Sequence, residues 1–214
     1  MKKLIIFDMD GTLYRFSSGT NFRDSEMYAK IKENSYSFLE RKLKINRQKA
    51  IEKYNQIKNE FRGEMSIGIE RKLGINRYEF FANTWDLSPE ELLEKRDLSG
   101  ILDSLGLRKV VLTSAPAVWA RKVLRYLNVS ERVEAVFSGE PDIRKPDVRV
   151  FKQICDRFEV KPSEVISIGD QLETDILPAK SLGMTTILVG SESELADYCI
   201  KSIYDLPNLM EELK

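Results

Sequence analysis

The chain has 214 residues, of which 42% are hydrophobic, and its 34 lysines and arginines balance 34 aspartates and glutamates. This length suits one medium domain or a core with a sizeable insertion, and the balanced charge gives no electrostatic case for a nucleic acid or an anionic membrane as partner. The absence of histidine excludes Ser-His-Asp and Cys-His catalysis and histidine metal sites, so acid–base chemistry must fall to carboxylates or lysines.

The apolar segments are short, and none approaches the roughly 18 residues that a membrane-spanning helix needs. The N-terminus enters an apolar segment at once, so we expect no signal peptide. Cys155 and Cys199 show neither CxxC nor metal-ligand spacing, which favours two reduced, buried thiols. We therefore expect a cytoplasmic protein, whose oligomeric state the sequence does not predict.

The first predicted element is a buried strand that ends in two carboxylates. Residues 4–7 form an apolar run typical of a strand buried on both faces, and Asp8, Asp10 and Gly11 follow it. Residues i and i+2 of an extended segment point the same way, so both carboxylates can face one small volume. Such charges repel unless a cation or a role in proton transfer compensates, and Mg²⁺ is the usual cation. The alternative is an acidic turn without a function.

Residues 15–96 show helical periodicity and no convincing strand. Met27, Ile31 and Phe38 mark the apolar face of a first helix. The aromatic residues of segment 78–85 fit the core of a helical bundle better than a surface that stacks a base. We therefore predict a helical insertion between residues 15 and 96.

Strands and helices alternate from about residue 97. The predicted strands are 109–112, 133–137, 165–168 and 185–189, and the predicted helices are 99–105, 116–127, 146–158, 172–182 and 206–213. Repeated βα units with apolar strands predict an α/β fold of three layers, a parallel sheet with helices on both faces. In such sheets the chemistry lies beyond the carboxyl ends of the strands.

Two of the remaining polar motifs suit a phosphate group. Thr113, Ser114 and Ala115 lie between a strand and a helix start, where hydroxyls and free backbone N–H groups can cradle a phosphate. A plain N-cap is the simpler alternative there. Lys145 precedes a proline at a predicted helix start, so its ammonium is a candidate to neutralise a phosphoryl group, although a lysine in a loop is ordinarily solvent-exposed.

The last motif adds acidic groups after the strand at 165–168. Asp170 follows that strand directly as a candidate metal ligand. Asp175 lies about one helical turn further on, as a supporting acidic partner of the ligands.

Taken in order, the motifs DxDGT, TS, KP and GDxxxxD resemble the motif set of the haloacid dehalogenase-like (HAD) hydrolases. The resemblance covers residues 1–14 and 97–214 as a Rossmann-like catalytic core, and it implies that residues 15–96 form an inserted helical cap of the C1 type. The segments YRFSSGTNF, LTSAP and SGEPDIRKPD are similar to the pyrimidine 5′-nucleotidase-like branch. That branch often carries Asn-Ala where this chain has Ser114 and Ala115.

The resemblance implies a Mg²⁺-dependent phosphomonoester hydrolase that acts through an aspartyl-phosphate on a small phosphorylated metabolite. Asp8 would attack phosphorus, and Asp10 would protonate the leaving alkoxide and then activate water. Mg²⁺ would be held by Asp8, the carbonyl of Asp10 and Asp170, with Asp175 behind them. The phosphate oxygens would be held by Thr113, Ser114, the amide of Ala115 and Lys145.

The resemblance also orders the expected substrates and the competing functions. A nucleoside 5′-monophosphate is the first expected substrate and a small phospho-acid such as phosphoglycolate the second, with a sugar-phosphate phosphatase or mutase as a further alternative. A dehalogenase of the family would lack the second acid, Asp10. A catalytically silent scaffold and a phospho-acceptor receiver-like domain are the non-enzyme alternatives, but a receiver domain carries its phosphorylated aspartate on a later strand and has no cap.

Overall fold

The computed structural model describes residues 1–16, 22–94 and 96–213. The chain divides into two compact units, one formed by Met1–Arg15 with Leu93–Lys214 and the other by Phe16–Leu92. The assignment of these parts as catalytic core and cap stays a prediction. Residues 17–21 of the YRFSSGTNF segment lie outside the described residues.

The first unit contains one parallel sheet of six strands. Its order is β3-β2-β1-β4-β5-β6, and every neighbouring pair is parallel. The strands are β1 Leu4–Phe7, β2 Arg108–Leu112, β3 Ala135–Phe137, β4 Val165–Gly169, β5 Thr185–Val189 and β6 Tyr198–Ile200. The α/β fold predicted from the sequence is confirmed.

The helices follow the chain order of both units. They are α1 Glu26–Leu43, α2 Arg47–Glu60, α3 Met65–Leu73, α4 Arg77–Thr84, α5 Pro89–Leu92, α6 Ser99–Ser104, α7 Ala117–Tyr126, α8 Val148–Phe158, α9 Leu177–Ser181 and α10 Leu206–Glu212. A π-helical turn at Leu172–Ile176 precedes α9. None of the helices within the described ranges has the length and apolar character needed to cross a membrane, and the expected cytoplasmic location stays a prediction.

Strand β1 is fully buried because helices cover both faces of the sheet. Leu4 and Ile6 belong to an apolar cluster that also contains Phe151 and Ile154 of α8. Alternate residues of a strand point to opposite faces, so the buried Phe7 belongs to the other face. A central parallel strand with no polar face reads as a continuous apolar run, as the sequence does at this position.

Three details of the first unit differ from the sequence-based expectation. Strand β6 was not predicted, because it has three residues and two of them, Tyr198 and Cys199, are exposed. The predicted helix 172–182 is a π-helical turn followed by the short helix α9. Cys155 is buried, whereas the expectation that Cys199 is buried was wrong.

The second unit is a bundle of short helices with its own apolar core. Ser25, Asn46 and Asn76 cap the N-termini of α1, α2 and α4, since each side-chain oxygen accepts a hydrogen bond from a backbone N–H of the first turn. The core includes the predicted Phe38 and also Phe80, whose rings meet edge to face with centroids 5.7 Å apart.

Candidate active site

The polar motifs come together at one edge of the sheet because three neighbouring strands end there. Phe7 at the end of β1 pairs with Val111 of β2 and Ile168 of β4. The residues that follow these strands therefore emerge side by side. The backbone N–H of Asp8 still donates to the carbonyl of Ile168 at 2.8 Å, which fixes the position of Asp8 at the strand end.

Lys145 places a buried ammonium between two carboxylates. Its Nζ lies 2.5 Å from Oδ1 of Asp8 and 2.6 Å from Oδ1 of Asp175. The side chains of Lys145, Asp8 and Asp175 are 3%, 6% and 2% exposed. Burial alone would lower the pKa of Lys145, but the charges and hydrogen bonds of Asp175 and Asp8 outweigh it and raise that pKa. The ammonium is therefore charged at neutral pH.

Three carboxylates converge beside this ammonium. Oxygen atoms of Asp8, Asp170 and Asp175 all lie within 4.8 Å of one another. The hydroxyl of Thr12 lies 3.2 Å from Oδ2 of Asp8 and 3.3 Å from Oδ1 of Asp170. Burial, together with the negative charges of Asp8 and Asp175, raises the pKa of Asp170 to about 8. We call Asp8, Asp170 and Asp175 the acidic trio.

Two glycines allow the trio to pack so tightly. Gly11 has a φ of +92°, which few residues other than glycine adopt, and a Cβ there would collide with the carboxylate of Asp170. A Cβ at Gly169 would collide with the side chain of Asp175. The backbone of both motifs therefore approaches the carboxylates more closely than any side chain would permit.

Asp175 is held from several directions. Its Oδ2 accepts the backbone N–H of Gln171 at 3.1 Å, and its Oδ1 lies 3.2 Å from the hydroxyl of Thr174 as well as against Lys145. Burial raises the pKa of Asp175 to about 6, against the lowering effect of Lys145. The π-helical turn that carries Asp175 is a local geometry often found at functional sites.

Asp10 lies two residues from Asp8, but its carboxylate contacts different partners. The hydroxyl of Tyr14 donates to Oδ1, and the hydroxyl of Thr113 donates to Oδ2 at 3.0 Å. Trp119 donates its indole N–H to the Tyr14 hydroxyl at 3.3 Å. Burial raises the pKa of Asp10, although the hydrogen bonds from Tyr14 and Thr113 and the charge of Lys145 act the other way.

The predicted phosphate cradle lies at the N-terminus of α7. The hydroxyl of Thr113 is buried and bonded to Asp10, and it also accepts the backbone N–H of Ala115 at 3.0 Å. Ser114 is exposed, so a ligand can reach this residue. A carboxylate of this chain, Glu140, already accepts the N–H of Ala117 in the first turn of α7 at 3.0 Å.

The acidic trio fits a divalent metal ion. Its donors are all carboxylate oxygens, which Mg²⁺ and Ca²⁺ prefer. One carboxylate oxygen of Asp8 and one of Asp175 bind the ammonium of Lys145. Asp170 instead accepts a hydrogen bond from the neutral hydroxyl of Thr12. Burial and the negative charges of Asp8 and Asp175 raise the pKa of Asp170, and a bound cation would counter both effects by stabilising its ionised form.

The structure brings together most of the residues that the sequence singled out. Asp8, Lys145, Asp170 and Asp175 form one connected cluster. The roles assigned to them, and to Asp10, Thr113, Ser114 and Ala115, stay predictions. Sequence reasoning missed the part that Tyr14 plays, and its spacing of four residues from Asp10 was the only local hint.

Comparison with known proteins places the chain among enzymes. The model of the haloacid dehalogenase-like hydrolases matches residues 2–183. A glyceraldehyde 3-phosphate phosphatase of Methanocaldococcus jannaschii is 31% identical over 121 residues, which are 53% of each chain. An (S)-2-haloacid dehalogenase of a Pseudomonas species is 30% identical over 122 residues, again 53% of each chain. This chain thus aligns with about half the length of these curated relatives.

A solved structure shares the fold along nearly the whole chain. The HAD phosphatase of Thermococcus onnurineus superposes with a TM-score of 0.67 at 24% identity and covers 98% of both chains. Since the family model spans most of the chain, from before Asp8 to beyond Asp175, the protein belongs to the haloacid dehalogenase-like hydrolases.

Proposed function

We propose that the protein is a phosphomonoester hydrolase in which Asp8 forms an aspartyl-phosphate. The observation that carries this proposal is the separation of two neighbouring carboxylates into different surroundings. Asp8 lies against the buried ammonium of Lys145, whereas Asp10 lies against the hydroxyls of Tyr14 and Thr113. Two carboxylates with different partners suit two different roles, nucleophile and proton carrier.

Asp8 acts as the nucleophile in the proposed reaction. One carboxylate oxygen attacks phosphorus, and the bond between phosphorus and the leaving oxygen breaks, which splits a difficult hydrolysis into two steps. Lys145 orients Asp8 through Oδ1, and its charge offsets the negative charge that accumulates when a phosphate approaches three carboxylates. Water then attacks phosphorus and regenerates Asp8.

Asp10 moves the protons. It protonates the leaving alkoxide in the first step and takes a proton from the hydrolytic water in the second. Ser114, which is exposed at the N-terminal side of α7, binds the phosphate oxygens through its hydroxyl and its own backbone N–H.

Mg²⁺ is the proposed cofactor, held by Asp8, Asp170 and the carbonyl of Asp10 with Asp175 behind them. When bound, it neutralises phosphate charge and aligns the phosphoryl group for in-line attack. Burial and the charges of Asp8 and Asp175 raise the pKa of Asp170 to about 8, and Thr12 keeps its Oδ1 oriented.

A small phosphorylated metabolite is the proposed substrate class. The name of the Methanocaldococcus jannaschii relative states a phosphorylated triose as its substrate, which supports a phosphatase and not a particular metabolite for this chain. A nucleoside 5′-monophosphate stays our first candidate and a small phospho-acid the second. The pyrimidine 5′-nucleotidase-like branch also stays a prediction.

Dehalogenation is the competing activity, because one relative of equal coverage is named as a haloacid dehalogenase. A halide ion leaves without a proton, so that reaction has no use for a second carboxylate held by two hydroxyls. The hydrogen-bonded Asp10 therefore favours the phosphatase.

Turnover of p-nitrophenyl phosphate with Mg²⁺, followed by a panel of phosphorylated metabolites and 2-haloacids, tests the proposal. The wild type should release phosphate, and Asp8→Asn should not. Asp156→Asn, an exposed aspartate on α8, is the matched control and should keep full activity. Halide release without phosphate release would overturn the proposal.

A further inference from the structure

The hydrogen bonds to Asp10 have directions that the neighbouring donors determine. The indole N–H of Trp119 is a donor only and lies 3.3 Å from the Tyr14 hydroxyl, so that hydroxyl accepts there. A hydroxyl has one hydrogen, and the hydrogen of Tyr14 is therefore left for Oδ1 of an ionised Asp10. Tyr14 thus accepts from Trp119 and donates to Asp10, and the indole N–H of Trp119 also acts directly on the Asp10 carboxylate.

The other carboxylate oxygen of Asp10 accepts a hydrogen bond whose direction is determined in the same way. The backbone N–H of Ala115 donates to Oγ1 of Thr113 at 3.0 Å. Thr113 therefore directs its hydrogen to Oδ2 of Asp10, also at 3.0 Å. Both carboxylate oxygens consequently receive a hydrogen bond, from Tyr14 in the segment after β1 and from Thr113 after β2.

The groups that hold Asp10 are rigid because they are buried. Tyr14, Trp119 and Thr113 are all 0% exposed. Protein interiors are close-packed, so a buried ring keeps its place, and the position of the Tyr14 hydroxyl follows from the position of its ring. We call Tyr14 and Thr113 the hydroxyl clamp.

We propose that Tyr14 is a positioning residue for proton transfer, and that the hydroxyl clamp holds Asp10 apart from the acidic trio and aligned with the leaving group. This inference rests on the proposed phosphatase function. In the first step the proton of Asp10 passes to the leaving alkoxide, and the clamp then stabilises the carboxylate that remains. In the second step that carboxylate takes a proton from water, and Asp10 returns to its starting state.

Leaving groups of different basicity test this role. An alkyl phosphate needs a proton on its leaving oxygen, whereas p-nitrophenolate leaves without one. In Tyr14→Phe we expect the single-turnover rate on the best alkyl phosphate of the panel to fall about tenfold or more, and the rate on p-nitrophenyl phosphate to fall less than about threefold, since general acid catalysis contributes about 10²–10⁴-fold. Tyr126→Phe, which removes a hydroxyl on α7 that donates to the carbonyl of Leu93, is the matched control and should change neither rate.

A double variant separates positioning from a structural effect. If Tyr14 acts through Asp10, then Tyr14→Phe should cost nothing further in an Asp10→Asn background. Equal losses on both substrates, or a full additional loss in the double variant, would overturn the inference. Thr113→Val removes the other half of the clamp and should give the same substrate-dependent loss, which keeps the test decisive if Tyr14→Phe does not fold. Lack of any phosphatase activity in the wild type would instead contradict the proposed function.

Discussion

The Nζ atom of Lys145 lies 2.6 Å from Oδ1 of Asp175, and both side chains are almost fully buried. The same Nζ contacts Asp8, so one cation offsets two carboxylates at the end of the central strand. A buried charge whose partner is removed is costly, and Lys145 therefore has a structural as well as a chemical part in the site.

Replacement of Lys145 by methionine should inactivate the protein and lower the free energy of unfolding by about 3–5 kcal/mol, because two buried carboxylates lose their partner. Lys180→Met is the control, since Lys180 pairs with Asp197 at 2.9 Å but its side chain is 40% exposed. Such a pair contributes about 0–1 kcal/mol, so the control should change little in denaturant titration. Similar losses in the two variants would contradict the special role of Lys145.

Metal binding should be visible without any assay of activity. A ligand that binds only the folded state raises Tm, so Mg²⁺ should stabilise the wild type in thermal unfolding. Asp170→Asn removes a proposed ligand and also one of three crowded negative charges. We therefore expect this variant to be more stable than the metal-free wild type and to gain little from Mg²⁺. A full Mg²⁺-dependent rise of Tm in Asp170→Asn would place the metal elsewhere.

The stability of the metal-free protein should depend on pH through Asp170. Its pKa is raised to about 8 in the folded state, so between the unfolded pKa of about 3.9 and pH 8 the folded chain binds more protons than the unfolded chain. Stability should then fall as pH rises across that window. In EDTA, the Tm advantage of Asp170→Asn over the wild type should grow from pH 5 to pH 8. An advantage that shrinks with pH would refute the raised pKa.

The sequence predicts the sheet well because each central strand is an apolar run with a polar motif at its end. Strand β6 was not predicted because an edge strand of three residues, with Tyr198 exposed, shows almost no hydrophobic periodicity. The π-helical turn was not predicted either, because a segment of five residues is too short to distinguish the period of a π-helix from that of an α-helix.

The sequence likewise predicts the residues of the site that directly follow strands, but not the contacts between distant parts of the chain. Motif order identifies Asp8, Lys145 and Asp170 as strand-end groups, because strand ends of a parallel sheet meet at one edge. The contact between Trp119 and Tyr14 spans 105 positions in the sequence. A buried tryptophan or tyrosine more often only packs in the core than takes part in a functional site. Nothing local predicts such a pair, and only the folded chain reveals that it ends on the carboxylate of Asp10.

Direct detection of a phosphoryl group on Asp8 tests the central claim. Enzyme mixed with a phosphorus-labelled substrate should be quenched in acid during the first turnover, then digested and mapped by mass spectrometry. We predict an acid-stable, hydroxylamine-labile label on the peptide that contains Asp8, formed no more slowly than phosphate is released, and no label in Asp8→Asn. A label on another residue, or phosphate release by Asp8→Asn at the wild-type rate, would contradict the account.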